Sequence, residues 1–330
     1  GAMFDFWSIL RRFAYMLFVM WVVATIIFFM FRLMPGSPLT AFIGTTFTDE
    51  QHDLLVQRFG LDKSLFEQYS LFLVNTLKGD FGLSFTYNKP VINMIIEALP
   101  NSIILTLFSL LIAYIFGIIA GAYLAWKRAT LIEGISIPIV LATRSAPEFW
   151  LGMIALALFS FQFDIFPSGG TSAAGVIYAS TLDKLLSIDF YYHLILPSLV
   201  LALYLQGLPL LLMRSNMLEV MQEDFITMSK MKGLSSWRIV IYHAARNALL
   251  PVATAFTLGV GFAFGGNVVI ETVFSWPGLG RLLVFAVSAS DYPLAQGAFI
   301  FLTGILIFMN FLADLMYLFL DPRVSYKTVN

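Results

Sequence analysis

The sequence has no cysteine, and the missing thiols exclude several kinds of chemistry. Disulfides, thiolate metal sites, iron–sulfur clusters and cysteine nucleophiles all need that residue. Histidine is scarce as well, with three in 330 residues, and the H-E-x-x-H spacing of a zinc hydrolase does not occur. An intramembrane hydrolase needs a nucleophile with a base, or a metal cluster, so the sequence gives that class of protein no support.

Charged residues are also few. They make up 12% of the chain, about half of the share that is usual in soluble domains, whereas hydrophobic residues make up 59% and the mean hydropathy is +0.85. This composition excludes an ordinary water-soluble enzyme. The formal net charge of −1 provides no basic field for binding nucleic acid, so we expect no nucleic-acid partner.

Long uncharged runs are what the sequence contains instead. Residues 13–31 contain 11 Leu, Ile, Val and Phe and no charge, which favours membrane insertion by roughly 3–7 kcal/mol. Five further stretches are long enough to cross about 30 Å of hydrocarbon. They lie near residues 98–126, 134–163, 190–213, 247–271 and 292–320. We therefore predict an all-α membrane protein with six transmembrane helices and lipid as its surroundings.

The distribution of lysine and arginine predicts the orientation. The segments on the side of the two termini hold 11 Lys and Arg in 62 residues, whereas the opposite segments hold seven in roughly 112. The positive-inside rule then places both termini in the cytoplasm, with residues 4–31 as the N-terminus and first span and 321–330 as the tail. Residues 1–3, Gly-Ala-Met, are typical of the remnant of a cleaved tag.

The outer segment 32–97 is too long for a structureless loop, and its sequence predicts two helices. A capping box beginning at Thr48 opens a helix that ends at Gly60, and a second helix runs from Ser64 to about Gly79. The second helix should carry one apolar face, made of Phe66, Tyr69, Leu73 and Leu77. The segment forms a small cap over the spans or, alternatively, a docking surface for an extracytoplasmic partner.

The inner loop 214–246 has a helical pattern on both sides of Gly233. A short helix begins with Asp224 as its cap and ends where Gly233 supplies a left-handed exit. Ser235 or Ser236 then caps the helix that leads into the fifth span. The apolar face of the short helix comprises Phe225, Ile226, Met228 and Met231. This face fits a groove on another protein or, alternatively, lies on the lipid surface.

The inner loop carries the longest of a series of short sequence motifs that are distributed along nearly the whole chain. The loop contains the stretch DFITMSKMKGLS from Asp224 to Ser235, and the stretch HAARNALLP, from His243 to Pro251, begins in the loop and continues into the fifth predicted span. The other motifs lie, in order, at residues 32–38, 60–63, 79–84, 99–102, 193–197, 271–281, 291–293 and 321–323. Together they resemble the permeases of ATP-binding-cassette importers, in particular the B subunit of the dipeptide and oligopeptide family, with 224–233 in the coupling loop.

The resemblance implies a type I importer fold, with its core at 98–320, in a prokaryotic plasma (inner) membrane. It also implies a second, homologous permease subunit of the C type, two ABC ATPase subunits and an extracytoplasmic substrate-binding protein. The chain itself would be a non-catalytic subunit without a cofactor, with ATP and Mg²⁺ on the ATPases. Consistently, no G-x-x-x-x-G-K-[ST] phosphate loop occurs in the sequence. The residues assigned to ATPase coupling are Asp224, Phe225, Met228, Met231, Lys232, Gly233 and Leu234.

Charged residues within the third predicted span are candidates for the pathway. A charge at mid-bilayer costs about 2.5–3.5 kcal/mol on the insertion scale, so it should face an interior or a cavity. Arg144 and Glu148 are four residues apart on one predicted helix face, where they line the pathway or form a structural pair. Pro147 lies between them and can kink the span.

Polar residues in the last two predicted spans give further candidates. Asn267 and Glu271 belong with the turn at Trp276, which forms a short re-entrant gate or, alternatively, an interfacial turn with a tryptophan anchor. Asn310 and Asp314 hold neighbouring helices together or contact the ligand.

An ion-coupled secondary carrier is the rival class of transporter, since Arg144, Glu148 and Asp314 can serve an ion pathway. Such carriers usually contain repeats with broken helices in matching positions, and no repeat is visible in this sequence. Within the importer class, the resemblance favours di- or oligopeptides. Oligosaccharides, glutathione and nickel chelates are the alternatives, because in this family the binding protein largely sets the specificity.

Overall fold

The computed structural model describes most of the chain, and the regular structure there is helical. The described residues are 6–34, 39, 48–263 and 267–320. Within these ranges the exception to helical structure is an isolated bridge between Leu83 and Pro90. Several parts of the prediction lie outside the described residues, namely the tag remnant at 1–3, residues 4–5 of the N-terminal segment, the motif residues 35–38, residues 40–47 of the outer segment, residues 264–266 of the predicted fifth span and the tail at 321–330.

Fifteen α-helices are formed by the described residues. In chain order they are α1 (Phe6–Arg32), α2 (Asp49–Arg58), α3 (Leu65–Leu77), α4 (Val91–Trp126), α5 (Leu131–Ser145), α6 (Glu148–Ala155), α7 (Thr181–Leu186), α8 (Ile188–Leu205), α9 (Gly207–Val220), α10 (Asp224–Met231), α11 (Ser236–Arg238), α12 (Arg246–Ala263), α13 (Val268–Val273), α14 (Leu279–Ser288) and α15 (Tyr292–Leu320). A π-helical stretch, Leu156–Gln162, continues α6, and another, Ile239–Ala245, joins α11 to α12.

Packing divides these residues into two units. The first contains the described residues up to Asn101, the pair 267–268 and the residues from Pro277 onward. The second contains Ser102–Ala263 and Val269–Trp276. The helix α4 begins in the first unit and ends in the second.

Among the described residues, five helical stretches are long and apolar enough to cross a membrane. They are Phe6–Arg32, Val91–Trp126, Ile188–Leu205, Ser236–Gly261 and Tyr292–Leu315. A sixth span is formed if α5 and α6, with its π-helical extension, are taken together. The six predicted spans therefore all correspond to apolar helices in the structure, although the boundaries differ. The fifth span begins eleven residues earlier than predicted because the chain is already helical at Ser236.

The third predicted span is broken at Pro147. Ala146 and Pro147 both have extended backbone, with φ/ψ of −67°/142° and −62°/134°. Proline keeps the residue before it out of the helical region, so α5 ends at Ser145. The two halves are bent by 102°. The prediction that Arg144 and Glu148 share one helix face is therefore wrong, because they belong to different helices.

The outer segment has the two predicted helices. Thr48 and Ser64 are both N-caps, and each forms a complete capping box with the residue three positions later. The residues that follow the two helices are left-handed, with φ of +68° at Gly60 and +74° at Gly79. The local signals in this segment were thus sufficient to define both helices.

The apolar face predicted for α3 packs on α1 in part. Tyr69 and Phe72 pack their rings against Phe28 of α1, and the Tyr69 hydroxyl shares a 2.7 Å hydrogen bond with Thr25. Phe66, which was predicted on the same apolar face as Tyr69, is exposed and is therefore left for the membrane. The helix therefore contacts α1 through Tyr69 and Phe72, and the rest of its apolar face makes no close packing contact of this kind with a described residue.

In the second unit, α4 and α9 approach each other closely at two glycines of α4. A Cβ at Gly117 would lie 2.8 Å from Cγ of Pro209, and one at Gly121 would meet the carbonyl oxygen of Leu210. Any larger residue at these two positions would push the helices apart. The helix α12 also packs on α9, so α9 contacts both α4 and α12.

Candidate coupling site

The short helix α10 ends in a left-handed turn at Gly233. The residue has φ of +75°, which glycine adopts at no steric cost. The Gly233 N–H donates to the Lys230 carbonyl at 2.9 Å, and the Leu234 N–H donates to the Ser229 carbonyl at 3.3 Å. These two bonds form a Schellman motif, which satisfies helix-end carbonyls. The predicted left-handed exit is confirmed.

The start of α10 differs from the prediction by one residue. Glu223 holds the N-cap position with extended backbone, and no side-chain bond caps the helix. Asp224 is the first helical residue instead, where its negative charge still suits the helix dipole. The prediction that Asp224 is the cap is therefore wrong. Ser235 holds the N-cap position of α11, as one of the two predictions had it, but its side chain makes no capping bond.

The apolar residues of α10 are divided between two faces. Ile226 is 0% exposed, whereas Met228 is 57% and Met231 is 81% exposed. Residues two apart on an α-helix point to nearly opposite sides, so Ile226 and Met228 cannot share a face. The prediction of one apolar face that includes Ile226 is wrong. Met228 and Met231 form the outward face, and Phe225 lies half-exposed at its edge.

The inward face of α10 is anchored in the core of the second unit. Ile226 belongs to a buried cluster that also contains Met213, Met217, Ile239, Val240 and Ala244. Leu234, which follows the glycine turn, packs against the same cluster. Burying a side chain the size of isoleucine contributes about 1.5–3 kcal/mol. The helix is therefore held from the inside, with its outward face left open and Lys232 exposed at its end.

A continuous helix leads from this site across the membrane. The 26 residues from Ser236 to Gly261 include the π-helical stretch Ile239–Ala245 that contacts α10. At 1.5 Å per residue they extend about 39 Å, which exceeds the thickness of the hydrocarbon core. A displacement of α10 is thus connected directly to a membrane-spanning helix.

Sequence reasoning missed an ion pair beside this site. Arg214 of α9 donates from Nε to Oε1 of Glu133 at 2.8 Å, and its Nη2 donates to the same oxygen. The other carboxylate oxygen of Glu133 accepts from the Ala129 N–H at 2.6 Å. Glu133 is the single acid in the segment 127–133, and nothing in the neighbouring sequence indicates that Arg214, 81 residues away, is its partner. The pair fastens that segment to α9.

The predicted gate residues of the second unit are buried. The Ser102 hydroxyl donates to Oε1 of Glu271 at 2.6 Å, and both residues are fully buried. Trp276 is also fully buried, with its ring centroid 5.6 Å from that of Phe190. The alternative of an interfacial tryptophan anchor is therefore wrong, because an anchor would face the headgroups. Ser102 is a partner that the sequence pattern did not reveal.

The remaining candidate pathway residues do not form one cluster with Glu271 and Trp276. Arg144 is exposed, and its aliphatic carbons lie against Gly207, where a Cβ would come within 3.0 Å of them. Asn267 is half-buried in the first unit. Asn310 and Asp314 are exposed on α15, and Oδ2 of Asp314 lies 3.6 Å from Nη1 of Arg12 on α1. Asp314 thus connects two helices, which is one of the two predicted roles.

Comparison with protein families decides the class. The family model described as "Binding-protein-dependent transport system inner membrane component" matches residues 113–326, and its N-terminal companion model matches residues 3–106. The chain belongs to this family. Its membership confirms the predicted type I importer fold, the function as a permease of an ABC importer and the location in an inner membrane that the chain crosses several times.

Several curated relatives of this permease are similar over nearly the full length. The di/tripeptide transport system permease protein DppB of Pseudomonas aeruginosa (strain UCBPP-PA14) is 36% identical over 97% of the chain and 98% of the relative. A putative peptide transport system permease protein of Brucella abortus (strain 2308) is 37% identical over 96% and 98%. The glutathione transport system permease protein GsiC of Escherichia coli (strain K12) is 31% identical over 97% and 99%.

Proposed function

We propose that this permease forms half of the translocation pathway of an importer for di- and oligopeptides, and that α10 couples it to an ATPase. The observation that carries the coupling role is the two-faced structure of α10. Ile226 is anchored in the core, whereas Met228 and Met231 are exposed on the opposite side. Flexible, apolar methionine side chains suit a groove on a partner.

The mechanism follows from how α10 is held. An ATPase that closes on ATP and Mg²⁺ pushes the outward face of α10. Because Ile226 and Leu234 pack into the cluster formed with α9 and the π-helical stretch, the push moves these elements together. The helix from Ser236 to Gly261 then carries the displacement across the membrane. ATP is hydrolysed on the partner, and this chain supplies the mechanical connection without catalytic groups of its own.

The same proposal defines the remaining partners and the orientation. A second, homologous permease completes the pathway, two ABC ATPases occupy the cytoplasmic side, and a substrate-binding protein delivers cargo from outside. The lysine and arginine distribution supports cytoplasmic termini and a cytoplasmic α10. The helical outer segment, with α2 and α3, lies on the side of the binding protein.

Peptides are the favoured cargo, with glutathione as the second candidate. The two relatives named for di/tripeptide and peptide transport are 36% and 37% identical to this chain, whereas the glutathione permease is 31% identical. Uptake of labelled dipeptides by cells with the complete transporter, competed with glutathione, separates the two. Competition by other dipeptides alone supports peptide import, and competition by glutathione alone supports the second candidate.

Because this sequence has no cysteine, a cysteine introduced into α10 is its single thiol in a cross-linking test. Met228→Cys and Met231→Cys should each form cross-links to an ATPase subunit in the assembled complex. Ser229→Cys is the matched control, because it is nearly isosteric and lies on the buried side of the same helix. Cross-links at 228 and 231 but not at 229 support the proposal. Labelling of 228 and 231 by a lipid-borne reagent, with no ATPase cross-link, supports a helix on the lipid surface instead.

A further inference from the structure

A cavity of about 460 Å³ lies between the beginning of α1 and the later part of α15, in the first unit. Its polar lining comes from Arg11, Arg12 and Tyr15 on α1 and from Asn310 and Asp314 on α15. The rest of its lining is apolar and includes Met16 and Phe311. Two cations and one acid leave a net charge of +1, which matches a single anionic group.

The position of the cavity along α1 places it at a membrane boundary. Arg12 and Arg32 are 20 residues apart on this helix, which corresponds to about 30 Å, the thickness of the hydrocarbon core. Each arginine therefore lies at one edge of the hydrocarbon. Phe6 and Trp7 are exposed at the same end as Arg12, where aromatic residues anchor a helix among headgroups. A molecule that fills this cavity has its polar part at headgroup level.

The two arginines are placed to hold an added anion. Arg11 is exposed and has no ion-pair partner among the residues that the structure describes. The 3.6 Å between Arg12 and Asp314 is longer than the 2.7–2.9 Å that is usual for a charge-assisted hydrogen bond. Arginine binds phosphate oxygens through a planar fork of N–H groups, and the Tyr15 hydroxyl and Asn310 amide are further donors beside it.

We propose that this cavity binds an anionic phospholipid, with the phosphate on Arg11 and Arg12 and an acyl chain along the apolar lining. The site is independent of the coupling role of α10. A basic pocket between membrane helices is a known form of lipid recognition, and each arginine near a membrane surface raises the affinity about fivefold. Asp314 competes with the phosphate for Arg12, so the carboxylate limits the affinity.

The test compares how well the full chain retains dioleoylphosphatidylglycerol over dioleoylphosphatidylcholine, measured by native mass spectrometry from mixed micelles. The double variant Arg11→Ala/Arg12→Ala should lose about 30-fold of the preference. Asp314→Asn should gain about fivefold, because it removes the competing acid. Arg128→Ala/Arg238→Ala removes the same charge from exposed positions outside the cavity and should lose much less of the preference than Arg11→Ala/Arg12→Ala, whereas an equal loss would show a general surface-charge effect and overturn the proposal.

The proposal predicts a weaker lipid preference for Arg11→Ala/Arg12→Ala and a stronger one for Asp314→Asn, so it is tested by changes in opposite directions. If Arg11→Ala/Arg12→Ala does not fold, Arg11→Ala alone, which breaks no ion pair in the described structure, should lose about fivefold. Equal preferences in all variants would overturn the proposal. A loss in Asp314→Asn would do the same, since it would show that the Arg12 pair only holds the helices together. Displacement of the lipid by inorganic phosphate alone would identify a site for free phosphate and would also overturn it.

Discussion

Gly233 is the single residue on which the geometry of α10 most depends. Its φ of +75° costs an ordinary L-residue about 1–2 kcal/mol, and apart from its two chain neighbours no described residue has an atom within 4 Å of the place where a Cβ would be. The penalty for replacing it is therefore backbone strain without any clash. This makes Gly233 a position where the turn can be weakened while the surrounding core stays intact.

Gly233→Val should leave membrane insertion unchanged and should uncouple ATP hydrolysis from uptake. A β-branched residue disfavours the left-handed turn, so the Schellman bonds to Ser229 and Lys230 are weakened and α10 loses its fixed end. The measurement is transported peptide per ATP hydrolysed. Gly233→Asn is the control, because asparagine tolerates the left-handed region and should retain most of the coupling. Full coupling in the valine variant would count against a rigid α10.

Ser102→Ala should lower the stability of the second unit by about 1–3 kcal/mol, because the buried Glu271 carboxylate then loses a hydrogen bond. Ser109→Ala is a matched control on the same helix. Ser109 is equally buried, but its hydroxyl donates to the Leu105 carbonyl, which is already within the helix ladder. The apparent melting temperature of the purified protein should fall more for Ser102→Ala. Equal shifts would mean that the Glu271 contact contributes little.

At the scale of elements, local signals predicted ends and breaks well and predicted faces poorly. The capping boxes at Thr48 and Ser64 and the glycine turn at Gly233 depend on a few neighbouring residues, and all are present in the structure. Which face of α10 is buried depends on contacts with distant elements such as α9. For that reason Ile226 could not be separated from Met228 and Met231 by periodicity alone.

The third span shows the same contrast between what a local signal predicts and what the full structure has. Proline at 147 predicted a kink, but the 102° between α5 and α6 exceeds what a kinked continuous helix would show. Residues 146 and 147 are both extended, so the helix is interrupted, and Arg144 no longer faces Glu148 through one turn. After the break, α6 packs closely on α13, since a Cβ at Gly152 would lie 3.0 Å from Cγ1 of Val273.

Pro147→Ala should straighten the α5–α6 pair, because Ala146 is then free to become helical. Spin labels on cysteines at the exposed positions Ile135 and Trp150 report this directly in the cysteine-free chain. Their backbone separation should increase towards about 22 Å, the value for 15 residues of continuous helix. Pro138→Ala, inside α5 and away from the break, should leave the distance unchanged. An unchanged distance in Pro147→Ala would mean that tertiary packing alone imposes the bend.

At the scale of the whole molecule, composition and apolar runs were sufficient to predict an all-α membrane protein, and the ordered motifs were sufficient to predict its family. Neither the composition nor the motifs predicted which residues of distant segments pair with each other. Glu133 with Arg214 and Ser102 with Glu271 are separated by 81 and 169 residues, and no local pattern connects them. Such contacts are set by the way helices pack, which a single sequence constrains only weakly.

The proposed division of labour between this permease and its ATPases is tested most directly by peptide uptake into vesicles that contain purified subunits. With both permeases, both ATPases and the binding protein, uptake should require ATP on the side that exposes α10. Vesicles with the permeases alone should show no uptake, and Met231→Glu should abolish it in the full complex by placing a charge on the apolar contact. Uptake by the permeases alone, driven by an ion gradient and unaffected by ATP, would contradict the proposal.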